Sequence, residues 1–284
     1  MAKFPIGVMS DCLRLPFAES IAKSHEIGAQ GVQIFAVSGD MAPENQTPAT
    51  IAEKRRIFSE NGIQLSALCG DFGGRGFAVA EDNPLRIERS KRIVDLALEL
   101  GGNIVTTHIG VIPEDTTCDT YKVMQEACNK LAEYAHQNGA WFAVETGPET
   151  AVCLRTFLDS LDCKGVGVNL DPANLVMITG DDPVAAVHTL APYIVHTHAK
   201  DGIMVKKADP RIFFGYLPPE MAEGFQYADY FQEKPLGQGH VDFDAYLKAL
   251  NEIGYTGYLT IEREVGDDPA ADIQMAVQFL KSKM

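Results

Sequence analysis

The stretch WFAVETGPETAVCLRTFLDSLDCKGVGVNLD, residues 141–171, contains two short apolar runs separated by a longer segment. The first run ends at Glu145 and the second at Asp171. Two parallel strands need a crossover of about a dozen residues or more between them, and a helix usually supplies it. We therefore interpret this stretch as a strand, a helical connection and a second, parallel strand.

Runs of the same kind occur along the whole chain. The eight candidate strands cover residues 5–9, 31–35, 64–68, 103–108, 141–145, 165–171, 193–198 and 257–262. Several of the segments between them open with Pro or a short polar residue and close at Gly, which are common signals for the start and end of a helix. Eight such units in 284 residues predict a (β/α)8 barrel, with residues 1–284 as a single domain.

An open, doubly wound sheet is the alternative to the barrel. Its nucleotide-binding form requires a G-x-G-x-x-G turn after the first strand, and this chain has SDCLRLP there, at residues 10–16. The Gly-rich segment GDFGGRG, residues 70–76, precedes no Lys-Ser or Lys-Thr pair. We interpret it as an active-site loop rather than a phosphate-binding turn.

Composition and charge limit the expected partners. Acidic residues outnumber basic ones by 39 to 24, and the formal net charge is −15. Because such a surface repels phosphodiester backbones, nucleic acid is not an expected partner. The six cysteines form no C-x-x-C pair, and no apolar run reaches the ~18 residues of a membrane span. We expect a cytoplasmic protein with a small-molecule substrate and no membrane partner, which could form a homo-oligomer.

Residues 202–239, after the seventh strand, are the one irregular section of the chain. They contain several prolines and a set of aromatic residues: Phe213, Phe214, Tyr216, Phe225, Tyr227, Tyr230 and Phe231. A long connection without regular structure is uncommon, and in a barrel it would lie over the mouth where substrates enter. We expect an insertion that acts as a lid or contacts a partner, and the sequence does not separate these two roles.

The later strands end in residues that are costly to bury, namely Glu145, Asp171, His198 and Glu262. Side chains alternate along a strand, so these four residues share the face opposite the bulkier apolar side chains and would point to the barrel axis. Three carboxylates around one point repel each other unless a cation lies between them. Three carboxylates and one imidazole predict a divalent metal site, with Mn2+ or Mg2+ favoured and Co2+ or Zn2+ as alternatives.

The seventh strand, YIVHTH, carries two histidines on the same face. Alternation therefore cannot choose between them, but depth along the strand can. His198 lies level with the three acidic strand ends, whereas His196 lies one layer deeper, beside Asn169 and Thr260. We predict that His198 binds the metal and that His196 forms buried hydrogen bonds beneath it.

These strand ends and their surroundings resemble the xylose isomerase-like barrels, in particular the sugar and sugar-phosphate isomerase/epimerase branch that includes the ketose 3-epimerases. The resemblance is carried by VETGPET (144–150), NLDPANL (169–175), HTHAKD (196–201) and PLGQGHVDFDAYLKALNEIGYTGYLTIERE (235–264). It implies that the metal ligands are Glu145, Asp171, His198 and Glu262.

The resemblance also implies a reaction. A ketose would bind the metal through its carbonyl and a neighbouring hydroxyl, and the proton on the carbon between them would become acidic. Glu145 and Glu262 would remove this proton from one side and return it from the other.

Four further residues are candidates for substrate binding: His108, Asn174, Lys200 and Arg263. His108 ends the fourth strand on its inward face, and a core histidine is the alternative interpretation. Asn174 occupies a place where relatives often carry a His that binds substrate or a further metal. Lys200 and Arg263 lie beside metal ligands, where ion pairing or a solvated rim are the alternatives.

The chain also departs from the ketose 3-epimerases. They often have a second Glu six residues after the ligand on strand five, where this chain has Ala151, with Glu149 nearby, and their Arg after the metal His has no clear counterpart beyond Arg211. Free D-psicose or D-tagatose is therefore not favoured as the substrate. An inosose dehydratase-like lyase is the main alternative. An endonuclease IV-like nuclease is disfavoured, because Asn174 and Arg211 replace histidines that its zinc cluster needs.

Overall fold

The computed structural model describes residues 4–284, and within them eight parallel strands close into a barrel in the order β1-β10-β7-β6-β5-β4-β3-β2. The barrel strands are β1 (Ile6–Met9), β2 (Gly31–Phe35), β3 (Gln64–Cys69), β4 (Ile104–Thr107), β5 (Trp141–Glu145), β6 (Val166–Leu170), β7 (Ile194–Ala199) and β10 (Leu259–Ile261). The predicted (β/α)8 barrel is confirmed. The eighth predicted strand is shorter than expected, so Glu262 follows β10 directly instead of ending it.

Helices connect the barrel strands and cover the barrel from outside, except for a short helix at residues 219–222 within the insertion. They are α1 (Phe17–Glu26), α2 (Pro48–Asn61), α3 (Asn83–Glu99), α4 (Asp119–Gln137), α5 (Ala151–Asp159), α6 (Pro172–Asn174), α7 (Pro183–Leu190), α8 (Pro219–Ala222), α9 (Phe243–Glu252) and α10 (Pro269–Lys283). In α2, for example, Thr47 caps the first turn and Gly62 ends the helix in a left-handed conformation. Across residues 4–284, no helix is long and apolar enough to cross a membrane.

The apolar core lies between the barrel and its helices, while the barrel interior beneath the mouth is polar. Gln33 donates a hydrogen bond to Thr106 across the barrel at 2.9 Å. His196 is hydrogen-bonded to Asn169 at 2.9 Å and to Thr260 at 3.0 Å. All five side chains are at most 1% exposed. Because these buried groups have partners, they link β2 to β4 and hold the three adjacent strands β6, β7 and β10 in a fixed register.

The predicted irregular section contains regular structure. β8 (Asp201–Met204) and β9 (Phe231–Lys234) form an antiparallel pair outside the barrel. The carboxylate of Asp201 accepts hydrogen bonds from the backbone N–H groups of Gly202, Gly237, Gly239 and Val241, at 2.8–3.1 Å. This single buried side chain therefore joins both ends of the insertion to the end of β7.

Candidate metal centre and active-site cavity

Four side chains converge at the C-terminal mouth of the barrel. Glu145 is the last residue of β5, Asp171 follows β6, His198 lies in β7 and Glu262 follows β10. Each offers a potential ligand atom within 4.8 Å of the others. His198 Nδ1 lies 3.4 Å from Glu145 Oε1, 3.3 Å from Asp171 Oδ2 and 3.4 Å from Glu262 Oε2. One oxygen from each carboxylate therefore faces the same nitrogen. All four residues are at least nine-tenths buried.

Buried hydrogen bonds orient these side chains. Asp171 Oδ1 accepts the N–H groups of Ala173 and Asn174 at 2.8 and 2.9 Å, which directs its other oxygen to the cluster. Asn169 donates to Glu145 Oε2 at 3.0 Å, which leaves Oε1 facing His198. These backbone and amide donors fix the orientation of both carboxylates, so that one oxygen of each faces His198 Nδ1.

Gln33 fixes the imidazole of His198, a role that the sequence interpretation missed. Its Oε1 lies 2.9 Å from His198 Nε2. Since Gln33 Nε2 donates to Thr106, Oε1 accepts from the ring, and Nδ1 is the nitrogen that faces the carboxylates and would bind a cation in place of its proton. A polar residue in the middle of the apolar run GVQIF was the available signal.

The negative charge of the carboxylates favours a positive charge at the centre of the cluster. Burial opposes a charge on His198, but Glu145 and Glu262 outweigh it and raise the pKa of the imidazole well above its usual value. Burial likewise opposes a charge on Glu262, but Lys200 and His198 outweigh it and lower the pKa of this carboxyl. Three carboxylate oxygens around one imidazole form a donor set that suits a divalent cation, so the residues present fit a metal ion.

His108 follows β4 and faces the same cavity. Its Nδ1 is 3.0 Å from Asp71 Oδ2, and its Nε2 is 3.9 Å from Glu145 Oε1 and has no hydrogen-bond partner among the described residues. Burial opposes a charge on the ring, but Glu145 and Asp71 raise its pKa to about 9. Asp71 therefore holds a protonated imidazole with one N–H directed at the space beside Glu145.

The other predicted substrate-binding residues differ in position. Asn174 lines the cavity and donates to Glu145 Oε1 at 3.3 Å. Lys200 also lines it, with Nζ 2.7 Å from Glu262 Oε2 and 2.6 Å from Glu264 Oε2. Arg263 is held by Glu233 and Asp272 instead, at 2.6 and 2.8 Å, and is not among the residues that line the cavity.

His196 lies beneath the cluster, in the layer where the sequence places it. It is 1% exposed and bonded through both ring nitrogens to Asn169 and Thr260. Burial, with a smaller contribution from His198, lowers its pKa well below the usual value, so the ring is neutral. The predicted buried hydrogen-bonding role of His196 is confirmed.

Two members of the cluster, Glu145 and Glu262, line a cavity of about 790 Å3. Asp71, Gly73, Gly74 and Gly76 line it, so the segment GDFGGRG lies at the mouth as predicted for an active-site loop. Gly76 has a φ of +56°, and a Cβ there would lie 2.1 Å from the backbone of Ile109. The loop can therefore pack against the end of β4 only with glycine at this position.

Glu149 does not line this cavity. It lies beside a second cavity of about 630 Å3, with both carboxylate oxygens buried and without a hydrogen-bond partner in the described chain. Burial raises the pKa of Glu149 to about 8. Ala151, at the position of the second Glu of the ketose 3-epimerases, begins α5 and carries no polar group.

Residues 21–283 match the model of the family described as xylose isomerase-like TIM barrel. The chain therefore belongs to this family, and the resemblance found in the sequence is confirmed. A solved structure of a xylose isomerase domain protein from Planctomyces limnophilus superposes with a TM-score of 0.79 at 27% identity, covering 99% of this chain and 96% of that one. A D-tagatose 3-epimerase-like protein has the same fold, with a TM-score of 0.73 at 20% identity and 99% coverage of both chains.

Among sequence relatives, the protein MJ1311 of Methanocaldococcus jannaschii is 22% identical over 210 residues, 69% of this chain and 63% of that protein. An L-ribulose-5-phosphate 3-epimerase, UlaE, of Shigella flexneri is 38% identical over 56 residues, 19% of this chain and 20% of the epimerase. The chain thus spans less than two thirds of the length of these relatives.

Proposed function

We propose that the protein is a divalent-metal-dependent enzyme of the isomerase class that moves a proton on a keto-sugar. One observation carries this proposal: an oxygen from each of three carboxylates faces His198 Nδ1, and two of these carboxylates, Glu145 and Glu262, line the mouth cavity. Such a donor set is costly to assemble without a cation, and its position at the C-terminal mouth is where barrel enzymes bind substrates. Family membership and the epimerase names among the similar proteins support the same class.

Glu145, Asp171, His198 and Glu262 would hold the ion. Carboxylate oxygens with one imidazole favour Mn2+ or Mg2+ over Co2+ or Zn2+. When bound, the ion would polarise a substrate carbonyl and a neighbouring hydroxyl and so acidify the C–H bond between them.

Glu145 and Glu262 would exchange that proton. β5 and β10 are separated in the barrel by β6 and β7, so Glu145 and Glu262 reach the floor from different sides. A carbon held between them would expose one face to each carboxylate. One glutamate would remove the proton and the other would return it, which inverts the centre.

Two neighbouring cations would assist the glutamates. Lys200 lies 2.7 Å from Glu262 and lowers the pKa of that carboxyl, which keeps it ionised. His108 directs its free Nε2 toward the space beside Glu145. It would donate a hydrogen bond to a substrate oxygen, while Asp71 holds the other ring nitrogen.

Proton exchange in D2O tests this function. The Mn2+-loaded protein would be incubated with ketoses, ketose phosphates and keto-inositols, and each compound followed by proton NMR. We expect one compound to lose the signal of the C–H beside its carbonyl, with inversion of that centre. Loss of water from the compound would instead indicate the lyase alternative on the same site.

The metal content of two variants tests the assigned ligands. Asp171→Asn should lose the bound ion, whereas Glu149→Gln, which changes a buried glutamate outside the cluster, should retain it. A purified protein that binds no divalent ion and exchanges no proton in any compound would refute the proposal.

A further inference from the structure

The mouth cavity has two chemically different parts. Its floor is polar and is formed by Asp71, His108, Glu145, Asn174, Lys200 and Glu262. Its wall is apolar and aromatic and is formed by Phe35, Met177, Phe213, Phe214, Tyr227 and Phe231. Resting on the proposed function, we infer that the substrate is an uncharged keto-sugar joined through a glycosidic bond to a second ring, which packs on this aromatic wall.

The size of the cavity supports a substrate of more than one ring. Its volume of about 790 Å3 lies within the ~300–1,000 Å3 of sites that enclose drug-sized ligands. One sugar ring on the polar floor would leave much of this space, and most of the wall, without a contact. Since a binding site gains affinity from buried apolar area, the unused wall indicates that the substrate continues beyond the reacting ring.

The insertion supplies most of the wall and builds it as a packed aromatic cluster. Phe213 contacts the rings of Tyr227 and Phe231 at centroid distances of 6.1 and 5.2 Å. Tyr227 is 54% exposed although it belongs to this cluster. Aromatic faces held in place by their neighbours bind the C–H face of a sugar or an aromatic ring without a large cost in side-chain entropy.

The two parts of the cavity are in direct contact. The ring of Phe214 lies 5.2 Å from that of His108, which belongs to the floor. Gly215 approaches the loop at the other side, where a Cβ would lie 2.8 Å from the carbonyl carbon of Gly74. The wall therefore begins where the floor ends, and a ring attached by one glycosidic bond can reach it from a sugar bound at the cluster.

The charges of the cavity disfavour a phosphorylated sugar. Its lining in residues 4–284 includes two lysines and no arginine. Lys200 is paired with Glu262 and Glu264, and Lys234 donates to Gln232 at 2.8 Å. The lining carboxylates are Asp71, Glu145, Glu233, Glu262 and Glu264. A phosphate dianion would find no arginine fork of the kind that commonly binds it, and both lysines already have partners.

Binding of three probes tests the inference independently of turnover. The probes are the 3-keto derivatives of methyl and phenyl β-D-glucopyranoside, and D-ribulose 5-phosphate, each titrated by calorimetry into the Mn2+-loaded protein. We expect the phenyl glycoside to bind roughly 5- to 10-fold more tightly than the methyl glycoside, since an aromatic contact is gained. The phosphorylated pentulose should bind most weakly.

A pair of tyrosines in the insertion provides the variant and its control. Tyr227 lines the cavity, whereas Tyr230 packs in the same cluster, against Phe213 and Phe225, and does not line it. Tyr227→Leu should remove most of the preference for the phenyl glycoside. Tyr230→Leu loses comparable packing and should keep the preference.

The outcomes separate this inference from the proposed function. Equal affinity for the two glycosides, tighter binding of D-ribulose 5-phosphate, or no binding of any probe would overturn the inference. If D-ribulose 5-phosphate exchanged its proton in D2O while the phenyl glycoside did not bind, the isomerase proposal would stand and the two-ring substrate would be refuted. If the phenyl glycoside bound through Tyr227 but no compound exchanged a proton, the binding of a second ring to the aromatic wall would be supported. The isomerase proposal would then be refuted.

Discussion

At the scale of single residues, His196 and His198 show how depth in the barrel separates two side chains that share a face. His198 has three carboxylates around Nδ1, whereas both nitrogens of His196 are used by buried side chains. His198→Ala should therefore abolish metal binding and metal-dependent activity. His196→Ala should mainly reduce stability, by about 1–3 kcal/mol, because Asn169 and Thr260 lose a partner in a buried site.

Metal content by mass spectrometry and urea unfolding would measure the two effects. The assignment would be reversed if His196→Ala lost the ion while His198→Ala kept it.

Glu149 gives a second prediction at this scale, a dependence of stability on pH. Burial raises its pKa from the usual 4.5 to about 8, so the folded state binds the proton more tightly than the unfolded state. Its contribution to stability is present below pH 4.5 and is lost as the pH rises toward 8. The loss is at most about 1.4 kcal/mol per pH unit.

Glu149→Gln removes this titration. Its free energy of unfolding relative to the parent protein should rise between pH 5 and pH 8, as measured by urea unfolding at several pH values. Parallel stability profiles for the two proteins would contradict a buried, neutral carboxyl at this position.

Alternation along the strands predicted the inward positions of Glu145, Asp171, His198 and Glu262, because side-chain direction in a strand depends on local geometry alone. It could not predict that Gln33 would orient His198, since that contact joins residues 165 positions apart in sequence. The ion pairs that hold Arg263 away from the cavity depend on Glu233 in the insertion, whose path the sequence does not specify.

At the scale of elements, the insertion depends on Asp201. This carboxylate accepts four backbone N–H groups that have to be paired when the insertion packs on the barrel. Asp201→Ala should leave them unpaired and loosen residues 202–241, with faster amide exchange there and little change in the barrel strands. Hydrogen exchange followed by mass spectrometry would measure the difference.

Asp209→Ala is the matched control, because Asp209 lies within the insertion but pairs only with Arg211 next to it in the described structure. It should leave the exchange of the segment unchanged. Equal exchange in the parent protein and Asp201→Ala would show that the aromatic cluster alone holds the insertion in place.

Strand positions were predicted to within one or two residues because apolar runs and turn signals are local. The antiparallel pair of β8 and β9 was not, since the two strands are 26 residues apart and only the first follows a recognisable strand. The aromatic residues between them indicated packing, and the structure places four of them on the mouth cavity: Phe213, Phe214, Tyr227 and Phe231.

At the scale of the whole molecule, metal binding and stability should be linked. A ligand that binds only the folded state stabilises it by about 2.7 kcal/mol at a concentration of 100 times its Kd, which for a chain of this size corresponds to a rise in Tm of roughly 5 °C or more. Mn2+ should therefore raise the melting temperature of the protein. Removal of the ion with a chelator should reverse the change.

Asp171→Asn should abolish this rise while preserving the cap of α6, because the amide oxygen can still accept the N–H groups of Ala173 and Asn174. Asp268→Asn changes another capping residue, at the start of α10 and outside the cluster, and should keep the rise. Differential scanning calorimetry with and without Mn2+ would measure both. A rise retained in Asp171→Asn would place the ion elsewhere.

The hydrogen bonds of Asp201 have a consequence for how the substrate specificity of such a barrel could change in evolution. The insertion leaves the barrel at Asp201 and returns by Val241, and the same carboxylate binds both points. A different segment could replace the residues between them, provided that its ends still donated to Asp201 and that it kept an acidic partner for Arg263, which Glu233 now supplies. The metal-binding cluster and the substrate-recognition surface can therefore evolve separately. The cluster can stay the same while the insertion above it is replaced.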